Sequence, residues 1–183
     1  MIIMLRQCYT LSSKINVACG SGKPCSVENH LGFYANYSIF IFKALKKAPF
    51  QEFLYQMFLL EEIEEESVNT VDIEVFPASP KNGLNIVGRC NTFRGKIRLY
   101  PKSFYFCNNL RKKLGKQVLY TFVGNRAKAA LIHELLHLKY ASDEKKVREL
   151  TDEYFRIYME KQQYNENSAF LHSLIFNPKR SKN

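Results

Sequence analysis

Two histidines separated by three residues, with a glutamate directly after the first, form the segment HELLH at His133, Glu134 and His137. Residues four positions apart on a helix lie one turn from each other on the same face, so both imidazoles can reach one ion. A catalytic zinc ion takes three protein ligands and leaves a fourth position for water. Glu134 can act on that water as general base, taking its proton as it attacks a carbonyl and passing the proton to the leaving amine. The pattern predicts hydrolysis at a single zinc ion, Zn2+.

The residues around this motif favour a metal site over an ordinary pair of core histidines. The segment RAKAALIHELLHLKY, residues 126–140, strongly favours helix, with Asn125 as its predicted N-cap and apolar residues on all sides. Unpaired ionisable groups are costly to bury, so something must satisfy the imidazoles and the carboxylate. The structural alternative is two histidines bonded to backbone carbonyls, with Glu134 paired to a basic residue. The apolar surroundings favour the metal.

A third ligand is expected from the next segment, where Asp143 and Glu144 both follow the motif closely. A second helix is predicted there, capped by Ser142 or Asp143, and its periodicity does not choose between the two acids. Asp143 has the His-to-acid spacing of metzincin-like enzymes, although those usually have glycine where Tyr140 stands. Glu144 is one methylene longer and lies inside the first helical turn. We therefore favour Glu144 as the ligand, with Asp143 as the alternative.

The elements that must position this site show both helical and strand patterns. A helix is predicted from Pro49, where apolar residues recur at helical spacing. Strand patterns follow at 71–77, 84–90 and 95–101. The last of these ends at a proline and carries basic outward residues, which is typical of a sheet edge. A basic helix from about Phe104 is expected to end at Gly115.

Composition and charge describe a globular chain with a basic middle. The 183 residues, 46% hydrophobic and 24% charged, suit a compact domain with a working core. The net charge is +10, and between Val75 and Ile132 there are twelve Lys or Arg and no Asp or Glu. Such a region can attract nucleic acid or acidic peptides. Because no nucleic-acid module accompanies the charge, a solvated basic face is favoured.

The cysteines and the apolar runs indicate a cytoplasmic protein without a membrane span. Five cysteines at irregular spacings, with no CxxC pair, fit reduced thiols better than a disulfide framework. The N-terminus lacks the pattern of a signal peptide. The most apolar run, residues 31–42, is too short to cross a bilayer.

Three segments resemble the archaeal minigluzincins, which are small zinc metallopeptidases similar to stripped-down catalytic domains of integral-membrane zinc peptidases. These segments are GKIRLYP, NRAKAALIHELLHLKY and DEKKVRELTDEYF. The likeness covers about residues 50–160 and is most specific over 125–155. Arg148 departs from the pattern, because many gluzincins have an aspartate at that position that orients a histidine.

The resemblance implies a fold and a set of roles. His133 and His137 would bind zinc, Glu134 would be base and acid, and Glu144 on a "glutamate helix" would be the third ligand. The implied fold class is α+β, with a small, mostly antiparallel sheet of three or four strands packed on a long N-terminal helix, the zinc-binding helix and the glutamate helix. A flanking C-terminal segment able to block the cleft would make the enzyme latent.

The expected organisation has three parts: an N-terminal extension over 1–48, a metallopeptidase domain over 49–160 and a tail over 161–183. The tail contains an apolar patch and His172. We expect it to be disordered, and an inhibitory plug or a partner-binding segment are the alternatives.

The resulting hypothesis is a zinc-dependent metallopeptidase acting on peptide or protein substrates. A peptide laid against the strand at 95–101 could add to the sheet as an extended strand, and the basic side chains there would favour acidic substrates. Two alternatives stay open. One is a SprT-like protease that trims protein from DNA, suggested by the basic middle. The other is a non-catalytic zinc-binding protein whose site serves folding.

Overall fold

The structure, a computed structural model, describes residues 11–19, 30–78, 86–162 and 167–176. It has the predicted α+β class. The strands are β1 (Ile15–Ala18), β2 (Thr70–Glu74), β3 (Gly88–Asn91) and β4 (Lys96–Leu99). The longer helices are α1 (Leu31–Leu45), α2 (Ala48–Glu61), α3 (Phe104–Tyr140), α4 (Glu144–Lys161) and α5 (Asn167–Phe176). None of the described helices combines the length and the apolar character needed to cross a bilayer.

The sheet has the order β1-β2-β4-β3, and two of its three strand pairings are parallel. The expectation of a mostly antiparallel sheet is therefore wrong. The chain between β1 and β2 runs through α1 and α2, and a helical crossover of this kind returns the chain in the same direction. Only β3 and β4, joined by a single turn at Thr92–Arg94, pair antiparallel.

The edge strand next to the long helix is β3, not the strand predicted at 95–101. β4 lies between β2 and β3, so both of its edges are already paired. The tight connection folds β3 back along β4 and covers the edge that the pattern had assigned to substrate. α3 packs against both strands, and this places β3 beside the helix that carries the motif.

The motif helix is much longer than expected. α3 has 37 residues, with non-helical backbone at Gly115 (φ 87°, ψ 170°), a conformation that favours glycine. The break at Gly115 is as predicted, but the helix resumes at once, and Asn125 lies buried inside it rather than at its N-cap. Leu119 and Phe122 continue the apolar face across the expected boundary. The long helix is thus the one that carries the HELLH motif, whereas α2, predicted from Pro49, begins at Ala48 and has 14 residues.

The segment before residue 49 contributes to the same core as the rest. β1 pairs with β2, Ile15 is buried, and α1 packs on β1, β2 and α3. Residues 1–10 and 20–29 of the predicted extension lie outside the described part. The sheet's inner face is closed by buried Val71, Ile73, Ile97 and Leu99.

A buried carboxylate joins three helices. Glu61, the last residue of α2, accepts hydrogen bonds from the hydroxyls of Tyr140 at 2.6 Å and Tyr154 at 2.5 Å. Its backbone carbonyl accepts from Lys139 Nζ at 2.6 Å. The bond to Glu61 raises the pKa of Tyr140 to about 12, so the phenol stays a donor. This contact holds the end of α3 against α4, the two helices that carry the candidate ligands.

The described part of the tail is a packed helix, so the expectation of disorder is wrong there. Leu171 of α5 is only 2% exposed, and His172 and Phe176 contact the ring of Phe155 on α4. The imidazole of His172 also lies 2.8 Å from a carboxylate oxygen of Asp152. Residues 163–166 and 177–183 lie outside the described part. α5 thus braces the glutamate helix from the side of Asp152 and Phe155.

We predict that Leu171→Ala lowers the free energy of unfolding by about 2–4 kcal/mol, because it leaves a cavity where α5 meets the core. Urea denaturation measures this. The matched control is Phe170→Ala, whose side chain is 46% exposed on the same helix and whose loss should cost about 0.5 kcal/mol or less. Equal, small effects of the two substitutions would contradict the packing of α5.

Candidate metal centre

The two histidines of the motif point their Nε2 atoms at the same place. Both lie on α3, where the spacing of four residues stacks their side chains one turn apart. The rings are nearly perpendicular, with centroids 4.8 Å apart, and the two Nε2 atoms are separated by 3.2 Å. The side chains of His133 and His137 are 23% and 16% exposed, so the site opens to solvent on one side.

The hydrogen bonds at Nδ1 determine which ring nitrogen carries the proton. His137 Nδ1 lies 2.6 Å from the carbonyl of Ala141, which can only accept, so Nδ1 must donate. His133 Nδ1 lies 3.2 Å from Thr151 Oγ1, and that hydroxyl already donates to the carbonyl of Val147 at 2.6 Å. Its oxygen therefore accepts from His133. With protons on both Nδ1 atoms, the neutral rings present bare lone pairs at Nε2.

The turn after α3 is shaped to make one of these bonds. Ala141 has φ 47° and ψ −109°, an uncommon conformation for a residue other than glycine. Its backbone N–H donates to the carbonyl of His137, while its own carbonyl accepts from the ring of the same residue. The helix end therefore orients the second histidine.

Of the two candidate acids, the structure brings Glu144 to the histidines and places Asp143 elsewhere. Glu144 Oε1 is 3.7 Å from His133 Nε2, and Oε2 is 3.4 Å from His137 Nε2. Asp143 is the N-cap of α4, where its carboxylate accepts from the backbone N–H of Lys146 at 3.0 Å. The aspartate thus serves as the predicted cap, and the glutamate faces the motif.

His133, His137 and Glu144 fit one divalent ion. In a tetrahedral zinc site with metal–ligand bonds of about 2.0–2.1 Å, neighbouring ligand atoms are about 3.3 Å apart. The two Nε2 atoms are 3.2 Å apart, and Glu144 Oε2 lies 3.4 Å from His137 Nε2, both close to that spacing. Among the described residues these three form the group able to hold a metal, with one ligand atom from each residue and all of these atoms within 4.8 Å of one another. Burial lowers the pKa of His133, which favours the neutral ring that a metal requires. Two imidazoles and a carboxylate are a donor set typical of zinc.

A second layer of contacts orients each of the three candidate ligands. Arg148 Nε donates to Glu144 Oε1 at 2.7 Å and so leaves Oε2 free. Thr151 holds His133, and the carbonyl of Ala141 holds His137. Neither Thr151 nor Ala141 was singled out in the sequence as a site residue. A signal for Thr151 exists, because it follows Glu144 by seven residues and so shares its helical face.

Glu134 lies beside this group without joining it. It is 6% exposed and packs against Gly88 of β3, where an added Cβ would approach Glu134 Oε1 to 2.5 Å. The backbone N–H of Cys90 donates to its carboxylate. Burial, and secondly the charge of Glu144, raise the pKa of Glu134 to about 8. Glu134 is thus a buried carboxyl group in contact with β3 and within electrostatic reach of Glu144.

Comparison of the chain with protein-family models, with characterised proteins and with solved structures gives no match.

We predict that Asp143→Ala still binds one zinc ion per chain, while Glu144→Ala weakens zinc binding more than about 100-fold, beyond the usual cost of losing a group that only orients a ligand. The first substitution removes only a helix cap, worth about 1 kcal/mol of stability. Competition with a chromophoric chelator measures both affinities. Zinc retained in Glu144→Ala and lost in Asp143→Ala would reverse the ligand assignment.

The raised pKa of Glu134 predicts how stability depends on pH when metal is removed by a chelator. Between an unfolded pKa of 4.5 and a folded value of about 8, the folded chain holds a proton that the unfolded chain has released. The free energy of unfolding therefore falls as pH rises through this range, by up to about 1.4 kcal/mol per pH unit. Denaturant titrations should show the slope reduced in Glu134→Gln and unchanged in Glu160→Gln, an exposed control. Identical slopes in all three proteins would contradict the raised pKa of Glu134.

Proposed function

We propose that the chain is a zinc-dependent metallopeptidase that hydrolyses peptide bonds. The observation that carries this proposal is the convergence of two proton-free imidazole nitrogens and the Glu144 carboxylate, with a separate buried carboxyl, Glu134, at their side. A site that only bound zinc for folding would have no use for that additional buried acid, which is costly to keep. A hydrolase needs it.

His133, His137 and Glu144 would hold the ion, which would supply Lewis-acid activation of a water molecule. Glu134 would accept a proton from the attacking water and would deliver it to the amine of the departing peptide. Burial raises the pKa of Glu134, and a group that titrates closer to working pH accepts and releases a proton more readily. The N–H of Cys90 holds the carboxylate in place through both transfers.

The edge of β3 offers a place for an extended peptide. The backbone N–H of Tyr100 donates to the carbonyl of Val87 at 2.9 Å, which makes these residues a hydrogen-bonded pair of the antiparallel ladder. Since such pairs alternate, the backbone groups of Gly88 and Cys90 point away from β4, toward an edge that no strand of the described residues covers. The N–H of Cys90 donates to Glu134 there, so the N–H and carbonyl of Gly88 and the carbonyl of Cys90 are the groups that would pair with a peptide. Both residues adjoin Glu134. A peptide that pairs with this edge would present its backbone carbonyls beside the catalytic carboxyl.

We predict that Glu134→Gln keeps its zinc but loses turnover of fluorogenic peptides by about 100- to 10,000-fold, because an amide has the size of the carboxyl and cannot accept the proton. Zinc content is measured on the same samples by elemental analysis. The exposed Glu160→Gln is the matched control and should keep full turnover. If Glu134→Gln cleaved peptides at the wild-type rate, the site would be non-catalytic and the cleavage would come from elsewhere.

A further inference from the structure

The solvent-facing side of the sheet carries charges that pair across its inner strands. Lys96 Nζ on β4 lies 2.8 Å from Asp72 on β2, and Arg98 Nε lies 3.5 Å from Glu74. Asp72 and Glu74 are both buried beneath these longer side chains. The two cations of β4, to which a preference for acidic substrates was assigned from the sequence, are therefore already neutralised by β2.

One cation of the sheet has no such partner. Arg89 on the edge strand β3 stands directly opposite Arg98 in the antiparallel register, and it is exposed. Over the described residues, no carboxylate lies within 4.0 Å of Arg89. Like charges directly opposite each other destabilise a sheet, so an acidic side chain beside Arg89 would be favourable. The free side of Arg89 is the side away from β4.

The position of Arg89 relative to the catalytic carboxyl determines which part of a substrate it meets. Its neighbours Gly88 and Cys90 both adjoin Glu134. A peptide residue paired beside Arg89 therefore lies within about one residue of the bond to be cut. Arg89 would occupy a non-hydrogen-bonded position relative to an antiparallel peptide, where facing side chains are closest. Its side chain and that of the paired residue project from the same, solvent-facing side of the sheet.

We propose that Arg89 makes the enzyme select peptides with Asp or Glu beside the scissile bond, at the residue that pairs with Arg89. This inference rests on the proposed peptidase function and names its substrate class. The preference is confined to one position, because the next residue on the same face of β3 is the neutral Asn91. The carboxylate of the substrate would pair with Arg89 across neighbouring strands, as Asp72 pairs with Lys96 and Glu74 with Arg98 inside the sheet.

The test measures binding without turnover. Dye-labelled peptides of one sequence, with Glu, Gln or Lys scanned through each position, are titrated into the full chain carrying Glu134→Gln and loaded with zinc. Fluorescence anisotropy should find one position where the Glu peptide binds about 1.5- to 5-fold more tightly than the Gln peptide and the Lys peptide binds more weakly. Adding Arg89→Glu should reverse the order of the Glu and Lys peptides at that position.

The matched control is Arg156→Glu, which makes the same charge change at an exposed position on α4, twelve residues beyond Glu144. It should leave the order unchanged. The role of Arg89 is overturned if no position discriminates charge, if Arg89→Glu leaves the order intact, or if Arg156→Glu changes it equally. Cleavage of the same peptides by the wild-type chain tests the peptidase separately. A reversal by Arg89→Glu without any wild-type cleavage would contradict the proposed function and not the acidic preference.

Discussion

Two imidazole nitrogens with bare lone pairs face each other across 3.2 Å, and a carboxylate closes the third side. Three acceptors without a proton between them repel one another. A divalent cation turns the repulsion into coordination. Such an ion would explain why α3, the turn that follows it and the first residue of α4 bring these three groups together.

The scaffold secures this arrangement from several directions. Glu61, the last residue of α2, connects the end of α3 to the middle of α4 through two tyrosine hydroxyls and Lys139. Thr151 reaches from α4 to the first histidine, and α5 packs against α4 on the far side. α4 is therefore held in place through Thr151, Tyr154 and Phe155. The position of α4, and with it that of Glu144, depends on contacts with residues distant in the sequence.

Features that depend on residues close in sequence could be predicted, and features that depend on contacts between distant segments could not. The helices, the cap at Asp143 and the pairing of the two histidines on one face depend on spacings of three or four residues, which periodicity reveals. The parallel pairings of β1, β2 and β4 depend on how a crossover returns, and local patterns do not contain that information. Asn125 looked like a cap because its side chain suits one, yet continuous apolar residues carried the helix through it.

The identity of the edge strand also depends on contacts between distant segments. A basic strand ending in proline resembled an edge, but tertiary pairing placed β4 inside the sheet and left β3 open beside Glu134. This placement also explains the glycine at position 88, since a side chain there would collide with the carboxyl group of Glu134. In the proposed function, substrate pairing and charge preference both fall on the four residues of this short strand, beside Glu134 of α3.

The central claim concerns the immediate surroundings of a single ion, and X-ray absorption spectroscopy of the zinc-loaded chain tests it most directly. The account predicts two imidazole nitrogens at about 2.0–2.1 Å and carboxylate or water oxygens at about 2.0–2.2 Å, with no sulfur. Scattering from sulfur at about 2.3 Å, or from fewer than two imidazoles, would contradict it.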